Sequence, residues 1–163
     1  MKIRVVQPQW VSKETYELKY RRLLEAIREE HQQGREVVLV GVSAGAALGL
    51  LAFAETGSDV LAFVSVCGFT QLKPTDIANR DLMKFSWFNA ANRAELAAQG
   101  LSRSERKRIL SLIARSDDII DPRQEYIDGA TNVRMYSRGH VASIVMALVW
   151  HRRLIARFAT SRD

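Results

Sequence analysis

Glu36-Val37-Val38-Leu39-Val40-Gly41-Val42-Ser43-Ala44-Gly45-Ala46-Ala47 is the stretch on which the fold turns. A β-branched apolar run enters a Gly-x-Ser-x-Gly pentapeptide, and an alanine- and leucine-rich helical pattern follows to Glu55. Strand, tight turn and helix in that order are the sequence form of a nucleophile elbow. Such a turn brings two backbones close enough for flanking side chains to collide, so glycine is expected at Gly41 and Gly45. Ser43 then stands at the apex with its hydroxyl exposed. The N–H of Ala44, at the start of the helix, faces the place where an oxyanion would develop.

Before this stretch, Ile3 to Val6 reads as a short strand ending at Gln7-Pro8. Ser12 is placed as the N-cap of a helix to about Gln33, closed by Gly34. Tyr16, Tyr20, Leu23, Leu24 and Ile27 recur at helical spacing and give it one inward face. After the elbow helix, Gly57-Ser58-Asp59 turns the chain. Val60 to Val66 follows as a strand apolar on both faces, as a parallel sheet demands. Gly68 to Gly100 is irregular, with Pro74, the aromatic residues Phe85, Trp87 and Phe88, and a helical pattern from Ala90 to Ala98. Ser102-Arg103-Ser104-Glu105 is a capping box on a very short helix. Ile109 to Ala114 is a further inner strand, Asp121-Pro122 an N-cap and N1 pair opening a short helix, Val133 to Tyr136 the last strand, and His140 to about Ala159 one closing helix. The alternation predicts a single domain over residues 1–163, a doubly wound three-layer α/β/α fold with a mainly parallel sheet of about five strands. Residues 69–100 are read as a lid or pocket insertion.

The chain has 163 residues, of which 47% are hydrophobic and 26% charged, enough for one sizeable core. The one cysteine, Cys67, excludes an intrachain disulfide and fits a reducing compartment. No signal peptide is read at Met1-Lys2-Ile3-Arg4, and the apolar stretch Val141 to Trp150 is too short to span a bilayer. A cytoplasmic protein with no membrane partner is expected. The net charge of +6 and pI near 9.8 come partly from Arg103 to Arg108 and from Arg152, Arg153 and Arg157. No aromatic residue interleaves either cluster, so they are read as solvated helix faces and no nucleic-acid partner is expected.

A serine at an elbow needs a base, and there are three histidines. His31 lies among Glu29, Glu30 and Gln32 late in the first helix, and His151 lies beside Arg152 and Arg153; both read as surface residues. His140 follows Ser137-Arg138-Gly139, between the last strand and the last helix. That loop is at the carboxyl edge of the sheet, where open α/β folds place their sites, and histidine caps helices poorly. The acid that orients the imidazole lies in Asp117-Asp118, after the Ile109 to Ala114 strand, on the same edge. The residues alone leave the choice between the two aspartates open.

Taken together, these motifs resemble the α/β-hydrolases over most of the chain. Many members carry the acid in a Gly-x-x-Asp-x-x-Val-Pro setting and the histidine in Gly-His. Here the first reads Arg115-Ser116-Asp117-Asp118-Ile119-Ile120-Asp121-Pro122, with Arg115 and Asp121 in place of the usual Gly and Val, and the second reads Gly139-His140. Aligning the proline puts the acid at Asp118. The resemblance therefore implies a Ser43, Asp118 and His140 triad in the chain order Ser, Asp, His. It implies a carboxylesterase-like serine hydrolase that cleaves a small ester or related acyl substrate through an acyl-enzyme, with no metal and no organic cofactor. The family takes its second oxyanion N–H from a loop after an early strand, often His-Gly. In this chain that loop is Gln7-Pro8-Gln9-Trp10. Pro8 has no N–H, which leaves Gln9 or Trp10; packing under the first helix is the other reading of the Trp10 side chain. Phe85, Trp87 and Phe88 either line the substrate pocket or pack in the core.

The chain is short beside this family, with one helix where the full fold has two helices and a strand. That motivates an alternative, a non-catalytic binding or scaffold protein on a trimmed fold. If the strands lie in sequence order, right-handed crossovers put their connecting helices on one face, and the closing helix alone covers the other. From Val141 to Trp150 that helix is apolar nearly all round, more than one sheet contact requires. Its outer side is expected to meet a second copy of the chain.

Overall fold

The computed structural model describes residues 15–74 and 86–160. The strand read at Ile3 to Val6, the loop with Gln9 and Trp10, the cap at Ser12, and Phe85 lie outside the described residues. Thr15 caps α1 (Tyr16–Gln32), its hydroxyl accepting from Leu18 N–H. Helical spacing then turns Tyr16, Tyr20, Leu24 and Ile27 inward. Gly34, in the left-handed region at φ +70°, lets the chain reverse into β1 (Val37–Val42).

The sheet continues with β2 (Val60–Val66), β3 (Ile109–Ile113) and β4 (Thr131–Arg134). The described strands lie side by side in sequence order, all parallel, with Gly41 opposite Ser65, Phe63 opposite Ile109 and Leu110 opposite Thr131. Parallel strands in order bring every carboxyl end, and every loop that follows one, to a single edge. Between them run α2 (Gly45–Thr56), α3 (Ser86–Gln99) and the single turn α4 (Arg103–Arg106), which carries the expected capping box between Ser102 and Glu105. The chain closes with α5 (His140–Trp150) and α6 (Arg152–Thr160).

Two cores result. On one face of the sheet, α1, α2 and α3 pack together over Leu39, Phe63 and Ile109. Helix and strand approach so closely there that a Cβ on Gly49 would lie 2.6 Å from the Phe63 ring. On the other face, among the described residues, Val64, Val66, Leu110, Leu112 and Met135 are covered by the closing helices, through Ile144, Ala147, Leu154, Ile155 and Phe158. The expected one-sided layering of the connecting helices is what the structure has. Each aliphatic side chain buried this way contributes about 1.5–3 kcal/mol of transfer free energy.

Four details differ from the sequence reading. The closing helix breaks at His151, which accepts from Ile155 N–H while donating to Ala147 O. The break lets α5 rest on Ser143 and Ala147 while α6 turns Leu154, Ile155 and Phe158 to the same core. The last strand is Thr131–Arg134 rather than Val133 to Tyr136, since an edge strand needs little apolar sequence; the buried Met135 behind it carried the pattern. Asp121-Pro122 opens a turn and no helix: Asp121 accepts from Arg123 N–H through its side chain and from Gln124 N–H through its carbonyl. Arg106 and Arg108 are half-buried rather than freely solvated. Arg106 donates to the carbonyls of Gln99, Leu101 and Asp128, and Arg108 donates to those of Gly57 and Val60.

No helix among the described residues is long and apolar enough to cross a membrane. The outer side of α5 exposes Val141, Val145, Leu148, Val149 and Trp150.

Candidate active site

The elbow is built by Gly41. A Cβ there would stand 2.6 Å from Ala46 Cα, so no larger residue lets β1 and α2 close on each other. At Gly45 a Cβ would meet nothing within 4 Å, so the expected need for glycine at that position does not hold. Closure leaves Ser43 at φ +53°, a left-handed conformation costing a non-glycine residue about 1–3 kcal/mol. Three backbone bonds hold it there: Ser43 N–H to Val66 O, and Ala46 and Phe69 N–H to Ser43 O, at 3.0–3.1 Å. Ala44 is the N-cap of α2, and its N–H donates to no described residue.

His140 is the first residue of α5, on the loop leaving β4. Gly139 at φ +83° makes the turn, donates to Ser116 O and accepts from both the N–H and the hydroxyl of Ser143. This places His140 Nε2 2.9 Å from Ser43 Oγ. On the other side of the ring, Nδ1 lies 2.7 Å from Asp117 Oδ2. A carboxylate can only accept, so Nδ1 carries the hydrogen and Nε2 presents its lone pair to the Ser43 hydroxyl. That tautomer is assigned from the network.

The acid facing the imidazole is therefore Asp117 and not Asp118, which corrects the assignment reached through the proline alignment. Asp117 Oδ1 accepts from Ile119 and Ile120 N–H at 2.8 and 2.9 Å, an Asx-type turn that aims the carboxylate inward. Its side chain is fully buried. Asp118, the next residue along, is exposed and accepts instead from the backbone N–H of His140 at 2.7 Å. That bond holds its carboxyl below the usual range. One aspartate grips the ring and the other grips the main chain.

Of the aromatic residues, Trp87 and Phe88 lie at the start of α3, and both meet Phe69, with ring centroids 5.4 Å away in each case. Phe88 is buried and Trp87 half exposed. Phe69 connects this cluster to the elbow through its N–H bond to Ser43 O. Cys67, between β2 and Phe69, is fully buried; burial, with the charges of Glu125 and Asp117, pushes its thiol up to about 12. It stays protonated.

No family model and no curated protein matches the chain. Solved structures do. One reported for the metagenome-derived lipolytic enzymes LipS and LipT superposes with a TM-score of 0.61 at 14% identity, over 91% of this chain and 75% of that one. A monoacylglycerol lipase of Paleococcus ferrophilus gives 0.55 at 13% identity, over 86% and 75%. An alpha/beta hydrolase enzyme from the metagenome of Mar Chica lagoon sediments gives 0.50 at 15%, over 86% and 70%.

The chain has the α/β-hydrolase fold. Within that fold, Ser43, Asp117 and His140 come from three separate loops at the carboxyl edge of the sheet. His31 and His151 stand apart from them; His31 faces Asp59 at 3.7 Å. Sequence reasoning missed Phe69 and Glu125. Phe69 carried a signal in its position directly after a buried strand that adjoins the elbow. Glu125 carried none, being one acidic residue in a loop of several.

Proposed function

We propose that the protein is a serine hydrolase acting on a small ester or related acyl compound. The observation that carries this reading is the unbroken hydrogen-bonded row from Ser43 Oγ through His140 to Asp117. His140 Nε2 takes the proton as Ser43 Oγ attacks the acyl carbonyl. Asp117 keeps Nδ1 protonated and stabilises the imidazolium that forms. Ala44 N–H, at the positive end of α2, donates to the tetrahedral oxyanion. His140 then returns the proton to the leaving alcohol, and water, activated by the same imidazole, releases the acid. Trp87 and Phe88, joined to the elbow through Phe69, are read as one wall of the acyl pocket, a reading supported by their ring contacts with Phe69. The lipolytic chemistry named for two of the structural neighbours agrees with this reading. A scaffold protein has no need for a hydroxyl and an imidazole 2.9 Å apart.

The test is covalent labelling with a fluorophosphonate probe. Wild type is expected to carry one adduct, mapped to Ser43, which Ser43→Ala abolishes. Wild type that stays unlabelled at high probe concentration overturns the reading.

A further inference from the structure

Behind the acid loop lies a carboxyl that the triad does not use. Glu125, between β3 and β4, is fully buried. Its Oε2 accepts from Ala114 N–H at 2.9 Å, three residues before Asp117, and its carbonyl accepts from Ser111 Oγ at 2.6 Å. The adjoining Gln124 carbonyl accepts from Thr70 and Gln71 N–H and from Thr70 Oγ1. This strap joins the end of β3, which leads to Asp117, to the loop that carries Phe69. Glu125 Oε1 has no hydrogen-bond partner among the described residues. A carboxylate with an unpaired buried oxygen is costly, and the neutral acid is favoured.

We propose that Glu125 is a positioning residue for the triad, holding the Asp117 loop through Ala114 and adding or withholding one negative charge on the acid side of the row. The proposal rests on the serine hydrolase reading. Burial pushes the Glu125 carboxyl up to about 7; Ala114 N–H and Arg134 lower it, and the charges of Asp117 and Asp121 raise it. The Cys67 thiol, facing from the end of β2, is neutral throughout this range. Below about pH 7 the row thus has one carboxylate behind the imidazole, and above it two. A second negative charge on the acid side of the row opposes the loss of positive charge from it, which places the acid limb of the labelling profile at higher pH.

The rate of fluorophosphonate labelling at Ser43, followed over roughly pH 5 to 9, reads this directly. In Glu125→Gln the amide oxygen still accepts from Ala114, and only Asp117 is charged. The acid limb of the profile is expected to move to lower pH by about 0.5 unit or more, with the plateau within about tenfold of wild type. A uniform loss at every pH, with no shift of the limb, is the mark of a purely structural role and overturns the proposal alone. A wild type unlabelled at every pH overturns the hydrolase reading, and this proposal with it. Carbon-13 titration of the Glu125 carboxyl in wild type is independent of the variant's folding and of activity. A midpoint near 7 is expected; one in the ordinary range near 4.5 refutes the charge assignment.

Discussion

Exchanging Asp117 and Asp118 for asparagine, one at a time, separates two neighbours that touch the same histidine in different ways. The Asp117 side chain is fully buried and lies 2.7 Å from His140 Nδ1. At about 4 Å between centres of charge and an effective dielectric near 20, a carboxylate stabilises an imidazolium by about 4 kcal/mol. That alone is about a thousandfold in rate. Asparagine can also present its NH2 to Nδ1, which selects the wrong tautomer and brings the expected loss in Asp117→Asn to about ten-thousandfold. Asp118 only accepts from a backbone N–H, which an asparagine oxygen does as well. Asp118→Asn is therefore expected to stay within about tenfold of wild type. The assay is initial-rate hydrolysis of p-nitrophenyl acetate together with the second-order rate of probe labelling, with circular dichroism to verify folding. If Asp118→Asn is the inactive variant while Asp117→Asn keeps activity within tenfold, the assignment of the acid is refuted.

Stability should depend on pH in a direction set by Glu125. Its folded carboxyl sits near 7 against a reference of 4.5, so between those values the folded chain holds a proton that the unfolded chain has lost. Stability accordingly falls as pH rises from about 4.5 to about 7 and is flat above, a change of about 3 kcal/mol. Urea unfolding at a series of pH values measures it. Glu125→Gln should flatten this window, and an equally flat wild type would contradict the assignment. Asp118 and Asp121, both held below the usual range, act in the opposite sense and at lower pH. At the outer face of α5, no charged residue interrupts Val141 to Trp150. We propose that this face pairs with a second copy, as in apolar homodimer interfaces. Sedimentation velocity should show a dimer that Leu148→Lys dissociates; a concentration-independent wild-type monomer removes the idea.

Much of this was legible in the residues because it rests on local rules. Gly41 and Ser43 sit between an apolar run and a helical pattern, and steric closure allows few other readings of that order. His140 stood out because a histidine directly after a strand and a glycine has little structural purpose. The choice between Asp117 and Asp118 was not legible. It depends on which carboxylate folds back onto Ile119 and Ile120 N–H, a three-dimensional fact that motif alignment cannot carry. Gly45 misled for a related reason, because symmetry in a pentapeptide is not symmetry in the contacts its backbone makes. The break at His151 and the early start of β4 follow from how helices and edge strands seat on a finished sheet. The apolar pattern records that seating only indirectly.

The double hold on His140, ring by Asp117 and main chain by Asp118, ties the end of the chain to its middle. Both bonds form only when the 115–120 segment and the first turn of α5 dock together. The imidazole is thus oriented by folding itself and needs no arriving ligand to set it. Competence and the docking of α5 should consequently be lost in one cooperative step when the protein is warmed or pulled apart.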